Sequence, residues 1–121
     1  METKKRKVLV VDDECVIADT LAIILNQHGF DAVAVYTGTG AVEQARVIKP
    51  DLIISDVIMP DMDGIEAAIQ IRRFLPECKI LLFSGQAATA DLLESARARG
   101  YEFDILAKPV HPQDLLAKLR G

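Results

Sequence analysis

Apolar and polar positions along this chain fall into short blocks whose period switches repeatedly. Lys7–Val11 ("KVLVV") is a β-branched run closed by two acids, the pattern of a buried strand. Glu14–His28 follows with Ile17, Leu21, Ile24 and Leu25 at helical spacing, and Gly29 supplies the stop. Asp31–Val35 predicts a second, weaker strand. Thr37–Lys49 places Val42, Ala45 and Ile48 on one helical face before Pro50. Leu52–Ser55 is a third strand, and Asp63 with Glu66 makes the D-x-x-E start of a helix reaching Phe74. "KILLFS" at Lys79–Ser84 predicts a fourth strand, Ala88–Arg99 a helix closed by Gly100, and Phe103–Leu106 a short fifth strand. Pro112 opens the last helix, which Leu115, Leu116 and Leu119 carry onward.

Five alternations of strand and helix, joined by short connections, build right-handed β-α-β units on a parallel sheet with helices on both faces. The strands are continuously apolar, as strands covered on both sides must be. One α/β domain over residues 1–121 is therefore expected, with no repeat or linker.

Composition narrows the function classes. Half of the 121 residues are hydrophobic and net charge is −4, so bulk charge gives no drive toward nucleic acid or a membrane surface. No apolar stretch approaches a membrane span, and the basic lead-in "METKKRK" lacks a signal peptide's apolar core. Its "KKRKV" run reads as a solvated lead-in rather than a nuclear-import patch, because Val8 already enters a strand. Cys15 and Cys78 stand apart with no second cysteine or histidine near in sequence. That excludes a zinc site and points to free thiols in the cytoplasm.

In open α/β sheets ligands bind beyond the carboxyl ends of the strands, where strand order reverses. Asp12 and Asp13 follow strand one, Asp56 follows strand three, Ser84 ends strand four, and Lys108 follows strand five. Each has a plain alternative: Asp13 a helix N-cap, Asp56 a solvated acid, Ser84 a turn residue, Lys108 a surface lysine. Asp61 and Asp63 are assigned to such plain roles, as loop and cap. Taken together the others converge on one sheet edge. If the strand order is 2-1-3-4-5, Asp12, Asp13 and Asp56 crowd together, and two carboxylates ~4 Å apart repel by roughly 4 kcal/mol at an effective dielectric near 20. Hard oxygen ligands without His or Cys select Mg²⁺ as the relieving cation. A carboxylate beside such a cation, a lysine and a hydroxyl is placed to attack phosphorus, with Asp56 as nucleophile.

The segments "VLVVDDE", "DLIISDVIMPDMDG", "ILLFSG" and "ILAKP", in that order and spacing, resemble the receiver domain of bacterial response regulators across nearly the whole chain. The resemblance implies a flavodoxin-like sheet of order 2-1-3-4-5. It also implies that Asp56 accepts a phosphoryl group from a histidine kinase or phosphotransfer protein. By the same likeness Asp13, Asp56 and the Ile58 carbonyl hold Mg²⁺, Asp12 acts through water, Lys108 pairs with the phosphoryl group, and Ser84 is the switch hydroxyl. The Lys108–Pro109 bond is implied to be cis. Such a domain is a signalling switch rather than an enzyme, and it passes its state to an unidentified downstream protein or output domain. No output domain follows here, so the chain is either a stand-alone receiver or part of a longer protein.

Two features depart from the family pattern. The strand-five position that carries the switching aromatic in the family holds Ile105, so either Phe103, two residues earlier on the same strand face, takes over the role or coupling runs without an aromatic rotamer. Ile58 and Gln86 flank the site without acidity, and the bulk of Ile58 is expected to hinder water and slow dephosphorylation. Cys15, Ala18 and Ala22 form a small-residue stripe on the first helix that is read equally as an exposed face beside the acids or as ordinary helix packing. The chief rival reading is a degenerate receiver that only docks proteins. An aspartyl phosphatase would need an acid where Ile58 stands, and a nucleotide-binding flavodoxin relative would need a phosphate-cradling loop where Asp12 and Asp13 stand.

Overall fold

A computed structural model describes residues 5–85, 89–108 and 111–120. Gln86, Ala88, the Lys108–Pro109 peptide bond and most of the basic lead-in lie outside the described residues. The elements run β1 (Lys7–Val11), α1 (Cys15–Gln27), β2 (Asp31–Val35), α2 (Gly38–Ile48), β3 (Leu52–Asp56), α3 (Gly64–Phe74), β4 (Lys79–Ser84), α4 (Thr89–Ala98), β5 (Asp104–Ala107) and α5 (Pro112–Arg120). All four strand pairings are parallel and the order is β2-β1-β3-β4-β5, as expected for a flavodoxin-like sheet.

Strand alternation sorts the core into two layers. Leu9, Val11, Ile53, Ile80 and Leu82 face Val42 and Ala45 of α2, Ile65 and Ile69 of α3, and Ala96 of α4. Val8, Val10, Leu52, Ile54, Leu81 and Phe83 face Ala18 and Leu25 of α1 and Leu115 of α5. Helices α2, α3 and α4 thus cover one face, α1 and α5 the other. Ala18 and Ala22 are buried in the second layer, which selects helix packing over an exposed stripe; only Cys15 of the three is exposed.

Helix ends follow local chemistry. Thr37 caps α2 through Gly40 N–H at 2.9 Å, and Asp63 caps α3 through Glu66 N–H at 2.8 Å. Helix α1 begins after Glu14, which makes no side-chain cap, so Asp13 is not the N-cap that its position suggested. β3 runs one residue beyond the expected strand and includes Asp56.

Strand β5 begins one residue later than expected. Phe103 stays outside it, with its ring parallel to that of Tyr101 at 6.4 Å between centroids and the Arg72 guanidinium 5.1 Å above it. Asp104 pairs with Leu81 and Ala107 with Ser84. Phe103 therefore lies four residues, ~13 Å at 3.3 Å per residue, from the end of the strand where Ser84 stands. It cannot serve as the aromatic behind that hydroxyl. Ile105, paired with Leu82, occupies the family's aromatic position and packs on the α2–α3–α4 layer.

Candidate functional site

The register of β1 and β3 determines where the acids meet. Val10 pairs with Ile54 and Val11 with Ser55, so the next step brings Asp12 alongside Asp56, both on the α1–α5 side by alternation. One carboxylate oxygen from each of Asp12, Asp13 and Asp56 lies within 4.8 Å of the other two. Asp12 is fully buried. Its backbone N–H is held by Val35 O at 3.1 Å, and its Oδ1 accepts the Glu14 N–H at 2.9 Å. Its Oδ2 is buried and has no hydrogen-bond partner. Asp56 is 7% exposed and Asp13 is open to solvent.

An unpartnered buried carboxylate oxygen facing two more acids is costly. Burial pushes the Asp12 carboxyl from 3.8 up to about 6; the Glu14 N–H opposes the rise and the neighbouring Asp56 charge adds to it. Burial also raises Asp56, with Lys108 as the main opposing influence. Lys108 reaches Asp56 from strand β5: its backbone N–H donates to Ser84 O at 3.2 Å and its Nζ lies 3.3 Å from Asp56 Oδ2. Lys108 Nζ lies over the Phe83 ring, 5.3 Å from its centroid, and Phe83 is the residue paired with Asp56. Ser84 is the next residue along β4, half-buried at the same edge.

Three carboxylates with only oxygen to offer, one of them holding a buried atom without a donor, fit a hard divalent cation such as Mg²⁺. Among the described residues the cluster holds neither His nor Cys, the ligands that a softer metal prefers.

The segment after Asp56 is fastened at three points. Gly64 N–H donates to Val57 O at 2.7 Å, and a Cβ on Gly64 would fall 2.0 Å from Asp56 O, so only glycine lets the α3 start approach β3 this closely. Asp63 caps α3. Asp61 reaches across to α2: its Oδ1 accepts Gly38 N–H at 3.1 Å and its Oδ2 accepts Thr39 N–H at 2.9 Å. The sequence reading treated Asp61 as a plain loop residue. The signal that could have found it is a surplus acid in a loop whose own helix already has Asp63 as its cap. Ile58, in the same loop, is 41% exposed.

A concavity of about 650 Å³ lies elsewhere, at the opposite strand ends, where Lys5, Arg6, Lys7, Lys49 and Lys79, together with Asp51 and Glu77, surround Phe74, Leu75 and Pro76. Two of its cations serve helix ends. Lys7 Nζ reaches Ile48 O of α2 at 3.5 Å and Arg6 Nη1 reaches Leu119 O of α5 at 3.0 Å, where the helix dipoles are negative. It holds none of the convergent acids.

Comparison with known proteins gives the same fold. The chemotaxis protein CheY4 of Vibrio cholerae superposes with a TM-score of 0.85 at 28% identity, covering 97% of this chain and 98% of its own. The DNA-binding response regulator MtrA of Mycobacterium tuberculosis (strain ATCC 25618 / H37Rv) is 30% identical over 121 residues, 100% of this chain and 52% of MtrA. The alkaline phosphatase synthesis transcriptional regulatory protein PhoP of Bacillus subtilis (strain 168) is 35% identical over 119 residues, 96% of this chain and 48% of PhoP. The chain thus spans about half the length of these curated relatives. Among the described residues no helix is long and apolar enough to cross a membrane. With the acids of β1 and β3 and the lysine of β5 at one sheet edge, and residues 8–120 matching the sequence model for the response regulator receiver domain, the chain belongs to that family.

Proposed function

We propose that this domain is the phosphoacceptor switch of a two-component system, with Asp56 accepting a phosphoryl group from a histidine kinase or phosphotransfer protein. The observation that carries the reading is the buried, donorless Oδ2 of Asp12 among three convergent carboxylates, with Lys108 already 3.3 Å from Asp56. A carboxylate oxygen of Asp56 attacks phosphorus, the bond from phosphorus to the donor's leaving group breaks, and the electron pair departs with that group. Lys108 offers its ammonium to the transferring oxygens, where charge develops. Asp12, Asp13, Asp56 and the Ile58 carbonyl are the groups to hold Mg²⁺, which supplies charge neutralisation at the phosphoryl oxygens. Ser84, ending β4 beside Lys108, is the hydroxyl to be drawn toward the new phosphoryl group.

The domain on this reading is a cytoplasmic switch that turns over only its own phosphate, and it acts through a downstream protein or an output domain. With Ile105 at the aromatic position and Phe103 out of reach, its response to phosphorylation runs without an aromatic rotamer. Docking alone has no observation in its favour, since acids, hydroxyl and lysine all stand at the edge.

Intact-mass analysis after incubation with Mg²⁺ and acetyl phosphate, beside Asp56→Asn, tests the reading. One phosphoryl adduct that requires Mg²⁺ and disappears in the variant is expected. No adduct from acetyl phosphate or from a phosphorylated histidine kinase would overturn it.

A further inference from the structure

Asp61 lies in the loop that joins Asp56 to α3, yet its carboxylate is spent on another helix. The first-turn N–H groups of α2 are normally left without partners. Here Asp61 takes those of Gly38 and Thr39, Thr37 Oγ1 takes that of Gly40, and Thr37 O takes that of Ala41. The contact is close on the backbone side as well, because a Cβ on Gly38 would fall 2.6 Å from Met62 O. The Thr39 N–H, more than any other group, holds the Asp61 carboxyl down at about 2, so the clamp stays charged across the neutral range. The loop is therefore bolted to α3 at one end by Asp63 and Gly64 and to α2 in its middle by Asp61.

We propose that Asp61 is a positioning residue for phosphoryl acceptance: its two hydrogen bonds to the α2 N-terminus fix the loop that presents the Ile58 carbonyl beside Asp56. The proposal rests on the phosphoacceptor reading for its functional consequence, and on hydrogen bonds alone for the clamp itself. A merely structural Asp61 would be one of two caps on α2, equivalent in kind to Thr37. That equivalence provides the control, because Thr37→Ala removes the other cap of the same helix and leaves the loop untouched.

The test compares wild type, Asp61→Ala, Asp61→Asn and Thr37→Ala in the full chain at physiological salt. Mg²⁺ affinity, the rate of Mg²⁺-dependent phosphorylation by acetyl phosphate, and amide exchange at Gly64 are measured in each. Asp61→Ala should weaken Mg²⁺ affinity and slow phosphorylation by about tenfold, the low end for losing a group that orients ligands. The Gly64 amide, whose bond to Val57 O closes the loop, should exchange faster in this variant. Asp61→Asn, which keeps one acceptor, should fall between Asp61→Ala and wild type, and Thr37→Ala should lose stability while matching wild type in all three measurements. Equal behaviour of Asp61→Ala and Thr37→Ala would overturn the proposal. If wild type itself takes no phosphoryl group, the phosphoacceptor reading fails instead, and Gly64 exchange alone decides the clamp.

Discussion

Removing one charge from the acid cluster should make the metal-free domain more stable, with a pH dependence that identifies which charge is responsible. In Asp12→Asn the amide oxygen can keep the bond from Glu14 N–H, and the amide N–H₂ gives the site of the donorless Oδ2 a hydrogen to share with Asp13 and Asp56. In wild type the Asp12 carboxyl titrates at about 6 in the folded state against 3.8 unfolded. The folded state therefore holds this proton more tightly. This group's contribution to stability is greatest below about pH 4, falls as pH rises through about 6, and stays low above it. At 1.36 kcal/mol per pKa unit, the loss is at most about 3 kcal/mol. The asparagine escapes it. In EDTA, urea unfolding followed by far-UV circular dichroism should show near-equal stabilities at about pH 4 and an advantage of up to ~3 kcal/mol for the variant at about pH 7.5. Saturating Mg²⁺ should narrow the gap, since a ligand at 100 times its Kd adds about 2.7 kcal/mol to the protein that binds it. A variant less stable than wild type at neutral pH, or an advantage that does not change with pH, would refute the argument from burial and repulsion.

Two further substitutions probe the same edge. Gly64→Ala drives a methyl group against the Asp56 carbonyl, a backbone atom that cannot rotate away. It should cost about 3 kcal/mol, the upper range for overpacking, and displace Asp56 enough to suppress phosphorylation; near-wild-type unfolding with full phosphorylation would show that the approach is not tight. Lys108→Met keeps most of the stem but removes the ammonium beside Asp56, so phosphorylation should slow by about 100-fold. Its Mg²⁺ affinity should hold or rise, because a competing cation has gone; a parallel loss of Mg²⁺ affinity would contradict the assigned role.

The architecture was legible because a buried parallel sheet imposes continuous apolar strands, and β1, β2 and β4 lie where the pattern puts them. The strand-end acids were legible for a related reason: in such runs a carboxylate is conspicuous. What the sequence hid depends on contacts between segments distant along the chain. Asp13 reads as a member of the acid cluster with an N-cap as its plain alternative, and only the start of α1 one residue later decides between the two. Ala18 and Ala22 suit an exposed stripe and a packed one equally, and only the way their helix lies against the sheet decides for packing. Phe103 shares the alternation of Ile105, and only the pairing of Asp104 with Leu81 shows that it is several residues too early to follow Ser84. Asp61 was the hardest, since no local pattern says which helix a loop acid will cap.

The basic cleft at the far strand ends also has a consequence for encounter kinetics. The acid cluster sits at one end of the strand axis, and at the other, five cations outnumber Asp51 and Glu77 around the cleft, so a molecule of net charge −4 is also a dipole along its strands. A partner carrying positive charge on its docking face is turned toward the carboxyl edge before contact, while the cationic end is held away. Association with such a partner should then slow steeply as added salt shortens the reach of the field, with little change in how quickly the formed complex dissociates.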